Sequence, residues 1–503
     1  MKRAYISVFD KTNIVEFTKK LTAAGYEIVS TGGTYDYLIK NSIKAIESTD
    51  ITGFRELIGG KVKSLHPKIF AGILADLKER EELVKDDIRA FDLICVNLYP
   101  FSDYKRKDAD IETLVKNIDI GGVALLRAGA KNYENITVIT DIQDYDIDLN
   151  NISLELRQDL ALKAFQTTSK YDFEIWNEFN ARFNEIKTDT LPENETFYLN
   201  KIKDLRYGEN PHQKAALYSY ENQLKYEFLN GKEFSYNNIL DATAALNIAA
   251  EFYDVNAAVI IKHTNPCGVA LGKTLKEAWE KALDCDPLSA FGGIVAFTGK
   301  VDLEIAKLLT AMFLEVVIAP DYTDEAIEEL KKKKNLRVVK LITPLLEYPN
   351  FVQKEVKLTP FGALVQEKDI KELDPETFKT VTKEKPTQEM IEDMVFAFKV
   401  AKHLKSNAIV IAKDLRTIGL CGGQTSRVGA VEIALKRVCD SAKDAVIASD
   451  GFFPAVDNIE VAAQERIAGI IQPGGSIKDP EVIKLADKLN MVMITTGIRH
   501  FRH

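Results

Sequence analysis

At 503 residues the chain is too long for one ordinary hydrophobic core, so two or more domains are expected. Its 46% hydrophobic and 28% charged residues suit a soluble globular protein, no stretch is apolar for long enough to span a bilayer, and MKRAYISVFD leaves no room for a signal segment, so a cytoplasmic location is expected. A formal charge of −9 argues against bulk attraction to nucleic acid, and five widely spaced cysteines without a CxxC pair argue against a zinc ribbon or dithiol centre.

Over the first 140 residues, short apolar runs alternate with helical patterns. AYISVF (4–9) reads as a buried strand and NIVEFTKKLTAAG (13–25) as an amphipathic helix closed by Gly25. YEIVST (26–31) is a second strand, followed by a helix over GGTYDYLIKN (32–41). FDLICVNLYP (91–100) and ITVIT (136–140) supply two more strands. The alternation predicts α/β layering on a mostly parallel sheet. Residues 152–185 read as helical, and polar KTDTLPENET (187–196) reads as a linker. Strands are then expected at 257–263, 292–297, 315–320, 407–412, 444–449 and 491–497, and no strict short repeat is visible.

Polar residues gather where the first strands end. Ser7 and Lys11 flank one; Ser30, Thr31, Gly32, Gly33 and Thr34 follow the next. Helix N–H groups, with glycines that permit close approach, form an anion site without a basic patch. Lys61, Lys63, Ser64 and His66 follow in GGKVKSLHPKIFAG (59–72). Three such loops at the carboxyl ends of strands point to phosphate binding. NLYPF adds Asn97 and Tyr99, and NIDIGGVALLRAGAKN adds Asp119, Gly121, Gly122, Arg127 and Lys131. These donors, with one phenol and one carboxylate, suit stabilisation of a charged intermediate. Read alone, Asp119 is equally an N-cap and Lys131 a helix-end charge.

In the second half, LRYGENPHQ (205–213) crowds Arg206, Tyr207, Asn210 and His212 into a turn, with Arg206 able to clamp an anion. Asn237, Asn238 and Asp241 precede a helix. IIKHTNPCGVALG (260–272) ends a strand at Lys262 and leads through His263 into a turn expected to be fixed by Pro266 and Gly268. An imidazole can accept a proton there, and the neighbouring ammonium can steady an oxyanion. His263 and Cys267 do not make a metal site, since no second cysteine stands at 270 and there is no His-x-Glu. Further on, Asn407 opens a strand, Gln424, Ser426 and Arg427 open a helix as a phosphate cradle, and DGFFPAVDN presents Phe452 for stacking, with Asp457 after it, while Phe453 suits the core.

STGGT, KVKSLHP, AGILA, NLYPF, IDIGG and RAGAKN resemble the inosine monophosphate (IMP) cyclohydrolase domain, of methylglyoxal synthase-like α/β fold. LRYGENPHQ, KHTNPCG, DPLSAFGG, SNAIVIAK, GGQTSR, DGFFPAVDN and QPGGS resemble the formyltransferase domain joined to it in a bifunctional purine-biosynthesis family, with a fold related to cytidine deaminase but without its zinc. The match is ordered and runs end to end. It implies a cyclohydrolase domain at 1–145, a helical extension and linker at 146–198, and a formyltransferase domain at 199–503.

The resemblance implies that a formyl group passes from 10-formyltetrahydrofolate to the amine of aminoimidazole carboxamide ribonucleotide (AICAR), whose product then closes to IMP with loss of water. His263 would take the amine proton, Lys262 would stabilise the tetrahedral oxyanion or assist the departing folate nitrogen, and Asn407 would orient His263 or the carboxamide. Arg206, Tyr207, Gln424, Ser426, Arg427, Phe452 and Asp457 would bind or neighbour the substrates. In the cyclohydrolase, Ser7, Lys11, Ser30, Thr31, Gly33, Lys63 and Ser64 would hold phosphate and ribose, with Asn97, Gly121 and Gly122 in the same pocket. Lys131, Tyr99 and Asp119 would assist ring closure. No metal is expected, and the resemblance implies a homodimer with a transferase site built by both subunits. Cys267, where relatives often carry a smaller residue, is a candidate for sensitivity to thiol reagents. Two other readings use the same loops: a zinc-free deaminase-like hydrolase joined to a methylglyoxal synthase-like lyase, and a non-catalytic nucleotide sensor.

Overall fold

The strand Lys2–Val8 is buried without a break from Arg3 to Ile6, as a strand covered on both faces must be. It forms the centre of a five-stranded sheet ordered Ile46–Glu47, Tyr26–Ser30, Lys2–Val8, Leu93–Asn97, Thr137–Ile139. All four pairings are parallel, as the alternation of strand and helix predicts. The computed structural model describes every residue except 1, 56, 59–61, 185–190, 192, 220–224, 352–353 and 439–441. Half of the expected linker at 187–196 (187–190 and 192) therefore lies outside the described residues, as do Lys61 and Cys439.

The helix Ile14–Ala23 buries Ile14, Phe17 and Leu21 against this sheet, and the chain reverses at Gly25, whose φ of +85° favours glycine. The long helix Leu154–Asn184 is part of the same body: Leu160, Ala161 and Ala164 enter the sheet's two cores, and Phe173 stacks on Tyr198. The chain divides into two compact units, Met1–Tyr198 and Leu199–His503.

In the second unit the order of a twelve-stranded sheet exposes an internal duplication. At its centre Asn265–Leu271 runs antiparallel to Arg416–Cys421. Outward on one side lie Ala257–Lys262, then parallel Ile294–Phe297, Val316–Ala319 and Arg337–Leu341, closed by antiparallel Tyr226–Asn230. Outward on the other lie Ile409–Lys413, then parallel Val446–Ser449, Gly469–Gln472 and Val492–Thr495, closed by antiparallel Lys379–Thr380. The two halves are related by an approximate two-fold axis through the central pair. One core combines the helices Tyr236–Ala250 and Gln388–Ala401 from both halves, while the opposite face carries a separate core for each half.

One local expectation is corrected. Pro266 and Gly268 do not fix a turn; they lie in the strand Asn265–Leu271, where a bulge absorbs the proline. Gly268 is there because a Cβ would meet the carbonyl of Ala282 at 1.9 Å, in the helix packed on that strand. The turn is the two residues His263 and Thr264, both at positive φ (51° and 61°), closing the hairpin between Lys262 and Asn265.

Candidate functional sites

In the first unit, the parallel strands end together. The pairings Ile6 with Ser30 and Val8 with Asn97 bring Ser7, Ser30, Thr31 and Asn97 to one sheet edge. Asn97 ties that edge down: its Oδ1 accepts from the amides of Phe9 (2.6 Å) and Asp10 (3.0 Å), and its Nδ2 donates to the Asp10 carbonyl. Lys11 is held nearby by donation to the Phe9 carbonyl, and Tyr99 meets Phe9 edge-on at 5.3 Å. Ser30 donates to Ile6, and Thr34 both accepts from and donates to Val8. Thr31, at the N-terminus of the helix Gly32–Lys40, is different. Its hydroxyl is buried without a hydrogen-bond partner, 2% exposed as a residue, beside Gly33 on an open surface. Its O–H is thus free of any protein acceptor and able to donate to a bound oxygen.

A second cluster adjoins the start of the helix Gly121–Lys131. A Cβ on Gly121 would lie 2.7 Å from the Ser64 hydroxyl, and one on Gly122 would lie 2.5 Å from Asp119, so both glycines leave room for functional oxygens. Asp119 accepts from the amide of Gly122 at 2.7 Å and from that of Tyr99. Burial pushes its carboxyl up, against those amides and the charge of Lys63. Lys131 is not brought to this cluster. It stands exposed at the other end of the helix, about 15 Å along the axis from Gly121 at ~1.5 Å per residue.

In the second unit the hairpin turn presents His263, exposed, next to Lys262. The Lys262 ammonium donates to the carbonyls of Phe291 (3.2 Å) and Gly292 (3.0 Å), which leaves one of its three N–H groups for a substrate oxygen. Gly292 makes room for it: φ is +68°, and a Cβ would sit 3.1 Å from Nζ. Asp241 accepts from the Thr264 amide at 2.6 Å and from the His263 amide. The loop bearing Arg206 and Tyr207, in which the guanidinium stacks 5.5 Å over the phenol, is fastened to the start of Asp241's helix by Asn237 donating to Glu209.

A second polar group lies on the same sheet edge, at the starts and ends of other strands. Asn407 accepts from Arg427 at 2.6 Å and donates to the Gln424 carbonyl at 2.8 Å. Arg427 also donates to Ser449 (2.7 Å) and Asp450 (2.5 Å) and is 6% exposed. Its expected place in a phosphate cradle is therefore corrected: the guanidinium is committed to a buried network that orients Asn407. Ser426 caps the same helix by accepting from Gly429. Asp450, fully buried, was not singled out from sequence; a carboxylate directly after the strand Val446–Ser449 was the available cue. Phe452 is 36% exposed beside fully buried Phe453, and Asp457 begins a helix, accepting from the Asn458 amide. Asn407 does not reach His263 within one chain, because three strand spacings, about 14 Å at ~4.8 Å each, separate their strands. Cys267 is 7% exposed and burial pushes its thiol up to about 12, so reactivity toward thiol reagents is not expected of it.

A profile of the AICARFT/IMPCHase bienzyme matches residues 129–437, well over half the chain, and one of the MGS-like domain matches residues 13–124. The chain belongs to the AICARFT/IMPCHase bienzyme family. Its parallel-sheet unit is the MGS-like part, and its larger mixed α/β unit carries the His263 hairpin. The "Bifunctional purine biosynthesis protein PurH" of Caldicellulosiruptor saccharolyticus is 48% identical, with all of both chains covered. Those of Thermoanaerobacter sp. and Aquifex aeolicus are 47% and 45% identical, again over the whole of each chain. Family membership thus rests on the entire length, not on one motif.

Proposed function

We propose that this family member catalyses two consecutive steps of purine biosynthesis: formyl transfer from 10-formyltetrahydrofolate to the 5-amino group of AICAR, then closure of the product to IMP with loss of water. The observation that carries the transferase half is the Lys262–His263 turn, which holds a donor and a proton acceptor side by side at a sheet edge. The amine nitrogen attacks the formyl carbon, His263 takes its proton, and the remaining N–H of Lys262 meets the developing oxyanion; collapse of the adduct then breaks the bond from the formyl carbon to the folate nitrogen, which takes up a proton and leaves as tetrahydrofolate. Asn407, three strands away, completes this site only from a second copy of the chain, which accords with a homodimer.

Ring closure is intramolecular, so holding the carboxamide nitrogen against the formyl carbon supplies much of the acceleration. Thr31, Ser30 and the glycine helix start would take the phosphate; Tyr99 and Asp119 flank the reacting groups. Asp119, with its carboxyl pushed up by burial, is suited to carry a proton to the leaving water. We read residues 1–145 as the cyclohydrolase domain, 146–198 as its helical extension and linker, and 199–503 as the transferase domain of cytidine deaminase-like fold, working in the cytoplasm. Among the described residues no helix is long and apolar enough to cross a membrane.

The test is to supply the intact protein with AICAR and 10-formyltetrahydrofolate and follow IMP by absorbance. His263→Ala is expected to abolish formyl transfer while leaving cyclisation of supplied formyl-AICAR intact. Loss of both activities in a folded variant, or of neither, would overturn the two-site reading.

A further inference from the structure

The turn that carries His263 is built against conformational preference. Two-residue hairpin turns with both φ values positive favour Asn-Gly or Asp-Gly, yet here they hold histidine and a β-branched threonine. Two side chains hold this turn: Asp241, projecting from the helix Tyr236–Ala250, accepts from the Thr264 amide at 2.6 Å with the His263 amide also facing it, and Asn265 donates to the His263 carbonyl at 2.8 Å. The second half of the duplicated sheet repeats the device. Its hairpin turns at Asp414 and Leu415, with φ of 55° and 56°, and Asp393 on the helix Gln388–Ala401 accepts from their amides at 3.0 and 2.6 Å. Lysines precede both turns and donate to equivalent carbonyls, Lys262 to Phe291 and Lys413 to Lys443. The clamp is thus a property of the fold, but only one copy carries an imidazole.

We infer that Asp241 is the positioning residue of formyl transfer: its carboxylate fixes the backbone from which His263 reaches the amine. Asp241 touches no reacting atom; it sets the direction in which the imidazole leaves the sheet edge. The inference rests on the transferase reading of His263. The duplicate clamp supplies the control that separates positioning from mere stability, because Asp393 makes the same bonds beneath a turn with no assigned chemistry.

The experiment compares Asp241→Asn and Asp393→Asn in the full-length protein. In each, an amide N–H₂ replaces one acceptor oxygen and opposes a backbone donor. Both variants are expected to lower the melting temperature by similar amounts. Asp241→Asn should reduce kcat for formyl transfer about 100-fold, the effect of a displacement on the order of 1 Å, with KM for AICAR moved less than about 3-fold. Asp393→Asn should keep kcat within about 2-fold. Adding Thr264→Gly to Asp241→Asn, which lets the turn adopt positive φ without the clamp, should restore at least about 10-fold of the lost kcat and also supplies folded protein if the single variant is unstable. Equal kcat in the two Asn variants, or a double variant no more active than Asp241→Asn, overturns the inference. If His263→Ala itself retains formyl transfer, the reading beneath it falls instead.

Discussion

Glu251 offers a measurable test of how the duplicated halves are held together. It stands at the end of the helix Tyr236–Ala250 and meets Lys402 and His403, just past the helix Gln388–Ala401, each at 3.0 Å. Burial alone would raise its carboxyl, but His403 and Lys402 outweigh it and bring the value from 4.5 to about 2. Burial holds His403 below the ordinary imidazole value despite that carboxylate, and Lys402 supplies a second cationic partner at 3.0 Å. Each pKa unit is worth ~1.4 kcal/mol, so the fall from 4.5 to about 2 corresponds to about 3 kcal/mol of stability. Because the folded group is the stronger acid, this is complete above pH 4.5 and disappears as the pH falls through 2; about 2 kcal/mol is gone by pH 3. Glu251→Gln should therefore cost about 3 kcal/mol at neutral pH, with the added penalty of a nearly buried Lys402 left without its carboxylate. At ~3 kcal/mol per molar urea this lowers the midpoint by about 1 M. Trp279, 2% exposed in the second unit, reports the transition once Trp176 is replaced by Phe. The gap between variant and parent should narrow by roughly 2 kcal/mol between pH 7 and 3. A gap that stays constant with pH refutes the assignment.

Two further outcomes follow from the sites. Gly292→Ala forces a side chain onto φ +68° and against the Lys262 ammonium at 3.1 Å; formyl transfer should fall at least ~10-fold with cyclisation unchanged, in separate assays of the two steps. Thr31→Val removes a buried hydroxyl that has no protein partner, so melting should hold or rise slightly while KM for formyl-AICAR in cyclisation rises ~10-fold; an unchanged KM removes Thr31 from the phosphate site.

The strands buried on both faces were legible because they read as unbroken apolar runs, and 26–31, 257–263 and 444–449 fall within two residues of the observed elements. Among the strands missed, such as Arg337–Leu341 and Gly469–Gln472, two at the centre of the larger sheet have patterns interrupted for packing reasons. Arg416–Cys421 contains Gly419, where a Cβ would meet the Ala434 carbonyl at 2.5 Å, and Asn265–Leu271 contains Pro266 and Gly268. In each case a residue that normally marks a turn permits a helix to approach a strand. The network of Asn407, Arg427 and Asp450 was invisible because its members lie about twenty residues apart on separate elements and acquire meaning only through the sheet register. The duplication is written in the sequence only over one short stretch: VIIK (259–262) and VIAK (410–413) agree at three of four positions, while the turn residues that follow differ.

That repetition bears on which residue carries the chemistry. A lysine at the end of the inner strand donates to a neighbouring carbonyl in both halves, so its presence at 262 is explained by the fold before any reaction is considered. The Asp clamp is likewise common to both. What differs is the first turn residue, an exposed imidazole at 263 against a carboxylate at 414. An imidazole on a strained turn has no counterpart demanded by packing, whereas proton removal from a weakly nucleophilic amine requires such a group at such a place. The duplicated scaffold therefore supplies donor and geometry twice, and what sets the first half apart is His263, the residue to which the proposed function assigns the amine proton.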